Sequence, residues 1–135
     1  MYKNILVPIS YDEDRDSNQA IEVAKYLSGE TPRITLLHVM EHVPNYATTY
    51  LPEGYIENSL SGIKDELSEL ASTIAGGHSA VITGHSGASI VDYANDNECD
   101  LIIVASHRPG VSDYFLGSTA QHVVRHAKCA VHVIR

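Results

Sequence analysis

Along 135 residues, five short β-branched-rich runs alternate with apolar series at helical spacing. A run that is apolar on nearly every residue is a strand buried on both faces, and helices are what cover it. Residues 3–9 are the first such run. Arg33-Ile34-Thr35-Leu36-Leu37-His38-Val39-Met40 is the second and Ser79–Thr83 the third. Leu101-Ile102-Ile103-Val104-Ala105 is the fourth and most apolar, and Ala130–Ile134 is the last. Between them, Ala20, Ile21, Val23, Ala24 and Leu27 mark a helix, with Asp16 or Ser17 as N-cap and Gly29 as its stop. Ile63, Leu67, Leu70 and Ile74 step by four, three and four, which predicts a helix over 59–75 closed by Gly76-Gly77. Ser86 is expected to cap a helix whose core face is Ile90, Val91 and Ala94. Ser118 opens the last helix, through Ala120, Val123, Val124 and Ala127. The order implies right-handed crossovers and an α/β fold: a mainly parallel five-stranded sheet with helices on both faces, Rossmann-like. No repeat, linker or low-complexity tract interrupts it, so one domain over 1–135 is expected.

In such sheets ligands bind beyond the carboxyl ends of the strands. The loops after Ile9, Met40, Thr83 and Ala105 are therefore where function should lie. The segment 105–118 joins the fourth strand to the last helix. Gly117 removes a side chain where a ligand would approach the backbone, and Ser118 with Gln121 makes a capping-box pattern. The free N–H groups and positive end of that helix favour an anion, and His107 and Arg108 offer further donors. By spacing alone, an ordinary connection that merely starts a helix stands beside this reading. Neither G-x-x-x-x-G-K-[ST] nor G-x-G-x-x-G occurs.

Charge narrows the partners. Nine Lys+Arg against seventeen Asp+Glu give 9 − 17 = −8, which disfavours non-specific nucleic-acid or anionic-membrane binding. Runs such as Leu101–Ala105 are too short to cross a bilayer, and the N-terminus lacks the pattern of a secretory signal. Cys99 and Cys129 form no C-x-x-C pair, so a reducing cytoplasm without disulfides is expected, with both thiols as packing residues.

Several motifs together carry a family resemblance. They are Lys3-Asn4-Ile5-Leu6-Val7-Pro8, Leu36-Leu37-His38-Val39, and the spacing Gly84…Ile90…Ala94. The tail adds Ala-Ser-His-Arg-Pro at 105–109, Leu-Gly-Ser at 116–118 and Val-Val-Arg-His-Ala-Lys-Cys at 123–129. Over its whole length the chain resembles the universal stress proteins, and over 105–135 the F-type branch of that family. The resemblance implies strand order 3-2-1-4-5, a homodimer, and an adenine nucleotide: ATP, ADP or AMP, with Mg2+ as accompanying ion. In that order the C-terminal strand 130–134 is an edge, and having no proline or lysine to blunt it, it is where the homodimer is expected to pair. It also implies a stress-response regulator in the cytoplasm. A slow ATP hydrolase or nucleotidyl-transfer enzyme is the alternative on the same site, and a dimeric interaction module with a vestigial site is a third reading.

Carried over by position, Pro8, Ile9 and Ser10 would border adenine and ribose, and the backbone of Val39 the adenine edge. Gly84 would lie close to the ligand. Val104, Ala105, Ser106, His107 and Arg108 would line the site after the fourth strand. Gly117, Ser118 and Thr119 would hold phosphates. The chain departs from the family's usual glycine pattern at Ala105 and Arg108, and only eight residues (109–116) precede Gly117. Ser10 stands where the family commonly has a ribose-binding aspartate.

Other features read more plainly. His122 and His126 have the i,i+4 spacing at which two side chains can bind one ion, but no carboxylate or cysteine joins them at ligand spacing, so solvated helix histidines are the favoured reading. His38 and His132 read as hydrogen-bonded strand residues. Asp12, Glu13 and Asp14 sit where phospho-receiver domains keep acidic ligands, but the matching Asp and Lys after later strands are missing. Residues 41–58, with Tyr46, Tyr50 and Tyr55, form a long connection, either a lid or a surface excursion.

Overall fold

The computed structural model describes residues 1–11, 17–42, 44–106 and 116–135, with only the backbone of Thr48. The elements run β1 (Tyr2–Pro8), α1 (Asn18–Leu27), β2 (Ser28–Met40), α2 (Asn45–Thr48), α3 (Tyr55–Ser72) and β3 (Gly77–Thr83). Then follow α4 (Ser86–Asp96), β4 (Leu101–Ala105), α5 (Ser118–His126) and β5 (Ala130–Ile134). The strands make one five-stranded sheet in the order β3-β2-β1-β4-β5, and every pairing is parallel.

Alternation along the strands explains the two cores. Ile5, Val7, Ile34, Leu36, Leu101 and Ile103 point to one face, where Ile21, Ala24, Leu67 and Ala71 of α1 and α3 cover them. Leu6, Leu37, Ile102 and Val104 point to the other, under Ile90, Val91, Ala94, Ala120 and Val123 of α4 and α5. Each large side chain removed from water this way contributes about 1.5–3 kcal/mol. Successive residues of β1 thus feed opposite cores, which is why the run has no polar alternation.

Several boundaries differ from expectation: β1 runs Tyr2–Pro8 rather than 3–9, and β3 starts at Gly77 rather than Ser79. β2 starts at Ser28 rather than Arg33, because Tyr2 pairs with Ser28 across a register irregularity between Tyr2 and Asn4. Ser28 is also the C-cap of α1, so Gly29 is not its stop. α3 begins at Tyr55, after Gly54 in the left-handed region at φ 78°, and ends at Ser72. It ends short of Gly76 because Thr73 Oγ1 donates back to the Leu70 carbonyl and the chain then tightens through Gly77 N–H to the Ile74 carbonyl. The 41–58 connection therefore holds the short α2 and the first turn of α3.

At the amino ends of the strands the chain satisfies its own backbone. Asp100 accepts from the N–H groups of Lys3 and Asn4 at 2.9 and 3.0 Å. Asn4 returns its side-chain amide to the Asn97 carbonyl at 2.8 Å, and its own carbonyl takes the Asp100 N–H. These bonds splice the first residues of β1 to the turn before β4.

Candidate functional site

The opposite, carboxyl edge of the sheet gathers the chain's loops. β1 ends at Pro8, paired with Leu37, and β2 ends at Met40, paired with Thr83. Past β1, buried Ile9 still donates to the Leu37 carbonyl at 2.7 Å. The Ile9 carbonyl lies 2.8 Å from Nδ1 of His38, which holds this turn against β2. Tyr11 meets the His38 ring edge-on, with centroids 5.0 Å apart. Partial burial, helped by the Glu66 carboxylate, raises the Tyr11 phenol above its ordinary pKa. His38 is thus the hydrogen-bonded strand histidine expected, and what it secures is the rim of the site.

Past β3, Gly84 N–H donates to the Met40 carbonyl at 2.9 Å. A Cβ at Gly84 would come within 2.5 Å of Ser89 Oγ, so the glycine lets the first turn of α4 fold close over the strand end. Past β4, Ser106 is buried to 1% exposure and its N–H donates to the Ile134 carbonyl. Its own carbonyl accepts the N–H of Gly117. The chain therefore leaves β4 and re-enters α5 at one point. Gly117 is the N-cap of α5 and Ser118 its first residue; the Ser118 cap and the capping box with Gln121 do not form. Likewise His85, not Ser86, is the N-cap of α4.

The helix starts at this edge are linked and unequal. Ser86 Oγ of α4 and Thr119 Oγ1 of α5 are 2.9 Å apart. Glu41, just past β2, brings its carboxylate to the Ser86 N–H at 3.2 Å, placing an anion at the positive end of α4. Among the described residues no carboxylate does this for α5, whose cap, Gly117, has no side chain to offer. A helix start of this kind favours an anion at its first-turn N–H groups.

The structure brings Pro8, Ile9, Ser10, Val39, Gly84, Val104, Ala105, Ser106, Gly117, Ser118 and Thr119 to this one edge. Val104 is buried in the α4–α5 core and Val39 packs against it, so the backbone of each is what can border a ligand. His107 and Arg108, like Asp12, Glu13 and Asp14, lie outside the described residues. Sequence reasoning missed Glu41. Its one signal was its place directly after a strand end, since Ser86 is 45 residues away.

The universal stress protein family model matches residues 1–135. The chain is 33% identical over 140 residues to universal stress protein A homolog 2 of Coxiella burnetii, covering 99% of this chain and 95% of that one. It is 29% identical to universal stress protein G of Salmonella typhimurium over the full length of both. Among solved structures, universal stress protein UspA of Lactobacillus plantarum superposes with a TM-score of 0.71 at 25% identity, over 99% of this chain and 98% of that one. A universal stress protein in complex with cAMP gives 0.63 at 17%, over 99% and 97%. An Arabidopsis thaliana universal stress family protein with AMP bound gives 0.64 at 18%, over 98% and 90%.

Proposed function

The chain belongs to the universal stress protein family, and from this we propose that it binds an adenine nucleotide, ATP foremost, at the carboxyl edge of its sheet. The observation that carries the proposal is the start of α5: a bare glycine cap at a strand carboxyl end, beside an α4 start already supplied with the Glu41 carboxylate. Phosphates would take the N–H groups of Ser118 and Thr119 and the Ser118 hydroxyl, which is exposed, beside the side-chain-free Gly117 whose own N–H is given to the Ser106 carbonyl. Adenine and ribose would lie along the ends of β1 and β2, against Ile9, Ser10 and the backbone of Val39. The cAMP and AMP complexes of proteins with this fold support the ligand class. Ser10 in place of a carboxylate makes the ribose contact a single neutral hydrogen bond, so phosphates carry more of the affinity here.

The same proposal makes the protein a cytoplasmic regulator, paired with its own copy through β5. β5 is an edge strand. The Ile134 carbonyl turns inward to Ser106, so by the alternation of a parallel ladder Val133 turns its N–H and C=O outward. An edge so exposed is closed by antiparallel pairing about a two-fold axis. Val133→Pro then removes only an outward donor. A dimer by light scattering that becomes a folded monomer in this variant supports the pairing; a wild-type monomer at micromolar concentration refutes it.

Nucleotide binding is tested by mass spectrometry of the denatured, freshly purified protein, followed by calorimetry with ATP and adenosine. ATP binding more tightly than adenosine is expected, and Arg108→Ala should narrow the gap by about tenfold or more. No binding of ATP, ADP or AMP by folded protein refutes the reading. Steady-state phosphate release would show hydrolysis rather than ligand-controlled regulation.

A further inference from the structure

We propose that His122 and His126 form a two-imidazole site for a borderline transition-metal dication, copper above all, at the seam between α4 and α5. The two residues lie one turn apart on α5. Their rings have come together, with centroids 4.4 Å apart and planes tilted by 37°. Imidazole nitrogens at i,i+4 on one helix face reach a single ion, and imidazole suits copper, nickel and zinc.

A second observation distinguishes His122 from a free surface histidine. It is seated on Gly87 of α4, where a Cβ would lie 2.7 Å from His122 Cβ and 2.9 Å from its Cγ. Any side chain at position 87 would push the ring away. The glycine thus leaves a seat that holds His122 half-buried, while His126 stays exposed beside it. Part of the ordering that chelation demands is already met in the fold. Bringing both nitrogens onto one ion takes rotation about χ2, which is soft for histidine.

Among the described residues no group of three or more His, Cys, Asp or Glu surrounds this point. Water completes the coordination, so the site is open and exchangeable rather than structural. The net charge of −8 draws cations to the molecule, while Arg125 and Lys128 close by on the chain hold affinity down. His122 lies one turn along α5 from Ser118 and Thr119, so the site adjoins the proposed phosphate contacts, but its two ligands are not among them.

The test is calorimetric titration of tag-free, nucleotide-free protein with CuCl2, NiCl2, CoCl2 and ZnCl2 in a non-chelating buffer. One site is expected, with Cu2+ above Ni2+ above Co2+, and Zn2+ below Cu2+. His122→Gln and His126→Gln should each weaken Cu2+ by at least about tenfold, the loss that even an outer partner of a metal site brings. Exposed His126 tolerates glutamine without cost to the fold, and circular dichroism checks both variants. His42→Gln and His78→Gln should leave the titration unchanged. The proposal is overturned if the two variants on α5 titrate as wild type, if the effect follows His42 or His78, or if no metal binds below millimolar concentration. Copper electron paramagnetic resonance showing two nitrogen ligands in wild type and one in His126→Gln supports it directly.

Discussion

The two ends of the same parallel sheet are built to different purposes. At the amino end, Asp100 and Asn4 bond reciprocally across the starts of β1 and β4, and every partner in that exchange comes from the chain itself. The turn from α3 into β3 is equally closed: at Gly76, φ 73°, a Cβ would run into the Pro32 carbonyl. At the carboxyl end Glu41 supplies an anion to α4, yet α5 starts on a bare glycine. One end spends its polar groups on the fold, and the other carries the helix start proposed to meet a ligand. Substitutions should therefore cost stability at the first end and binding at the second.

The largest effect is expected at Gly76→Val. A branched side chain in the left-handed region, against a backbone carbonyl, should cost about 3 kcal/mol or more, read as a lower urea midpoint. Any variant that still folds should bind ATP as wild type does. Gly117→Val is the converse, predicted to weaken ATP more than about a hundredfold while the circular dichroism spectrum and midpoint hold. Wild-type affinity in that variant would erase the distinction between the ends.

A pH test isolates the amino end. Burial, with lesser pushes from Cys129 and Asp100, raises the Cys99 thiol to about 11. The folded state thus holds the proton more tightly than the unfolded chain. Its contribution is complete below pH 9 and is lost as pH climbs from 9 to 11. The loss is about 2–3 kcal/mol at most. Urea midpoints across that window should fall in wild type and fall less in Cys99→Ala; parallel slopes would show that the thiol is not the cause. The smallest effect is at Glu41→Gln, which removes the anion at the start of α4 for about 0.3–1 kcal/mol. If ATP affinity also drops more than about tenfold, Glu41 positions the ligand as well as the helix, and the contrast between the two helix starts needs redrawing.

Much of this was legible in the residues. Leu101–Ala105 and Ala130–Ile134 are strands to the residue as read. The first is an unbroken apolar run, which has one place to go in a layered α/β fold. The second is broken by His132 and half-exposed at the sheet edge, but its valines and isoleucine favour extended backbone. Gly117 was legible as the glycine at the start of the last helix. The capping roles were not. Ser118 looks like a cap, but the bond from Gly117 N–H to the Ser106 carbonyl moves the helix start back one residue, and nothing local in 117–121 encodes that bond. Ser86 looks like a cap too, and its hydroxyl instead meets Thr119 on the neighbouring helix.

What the sequence determined alone is periodicity: which runs are strands, which faces of the helices are apolar, and hence the layered sheet. Those depend on burial, which each segment signals through its own side chains. What only the tertiary structure decided is the pairing of polar groups across long separations. Examples are Glu41 with Ser86, Asp100 with Lys3 and Asn4, and His122 against Gly87. Hydrogen bonds and close contacts of this kind require a geometry of a few tenths of an ångström, and that geometry exists only once the helices have docked on the sheet.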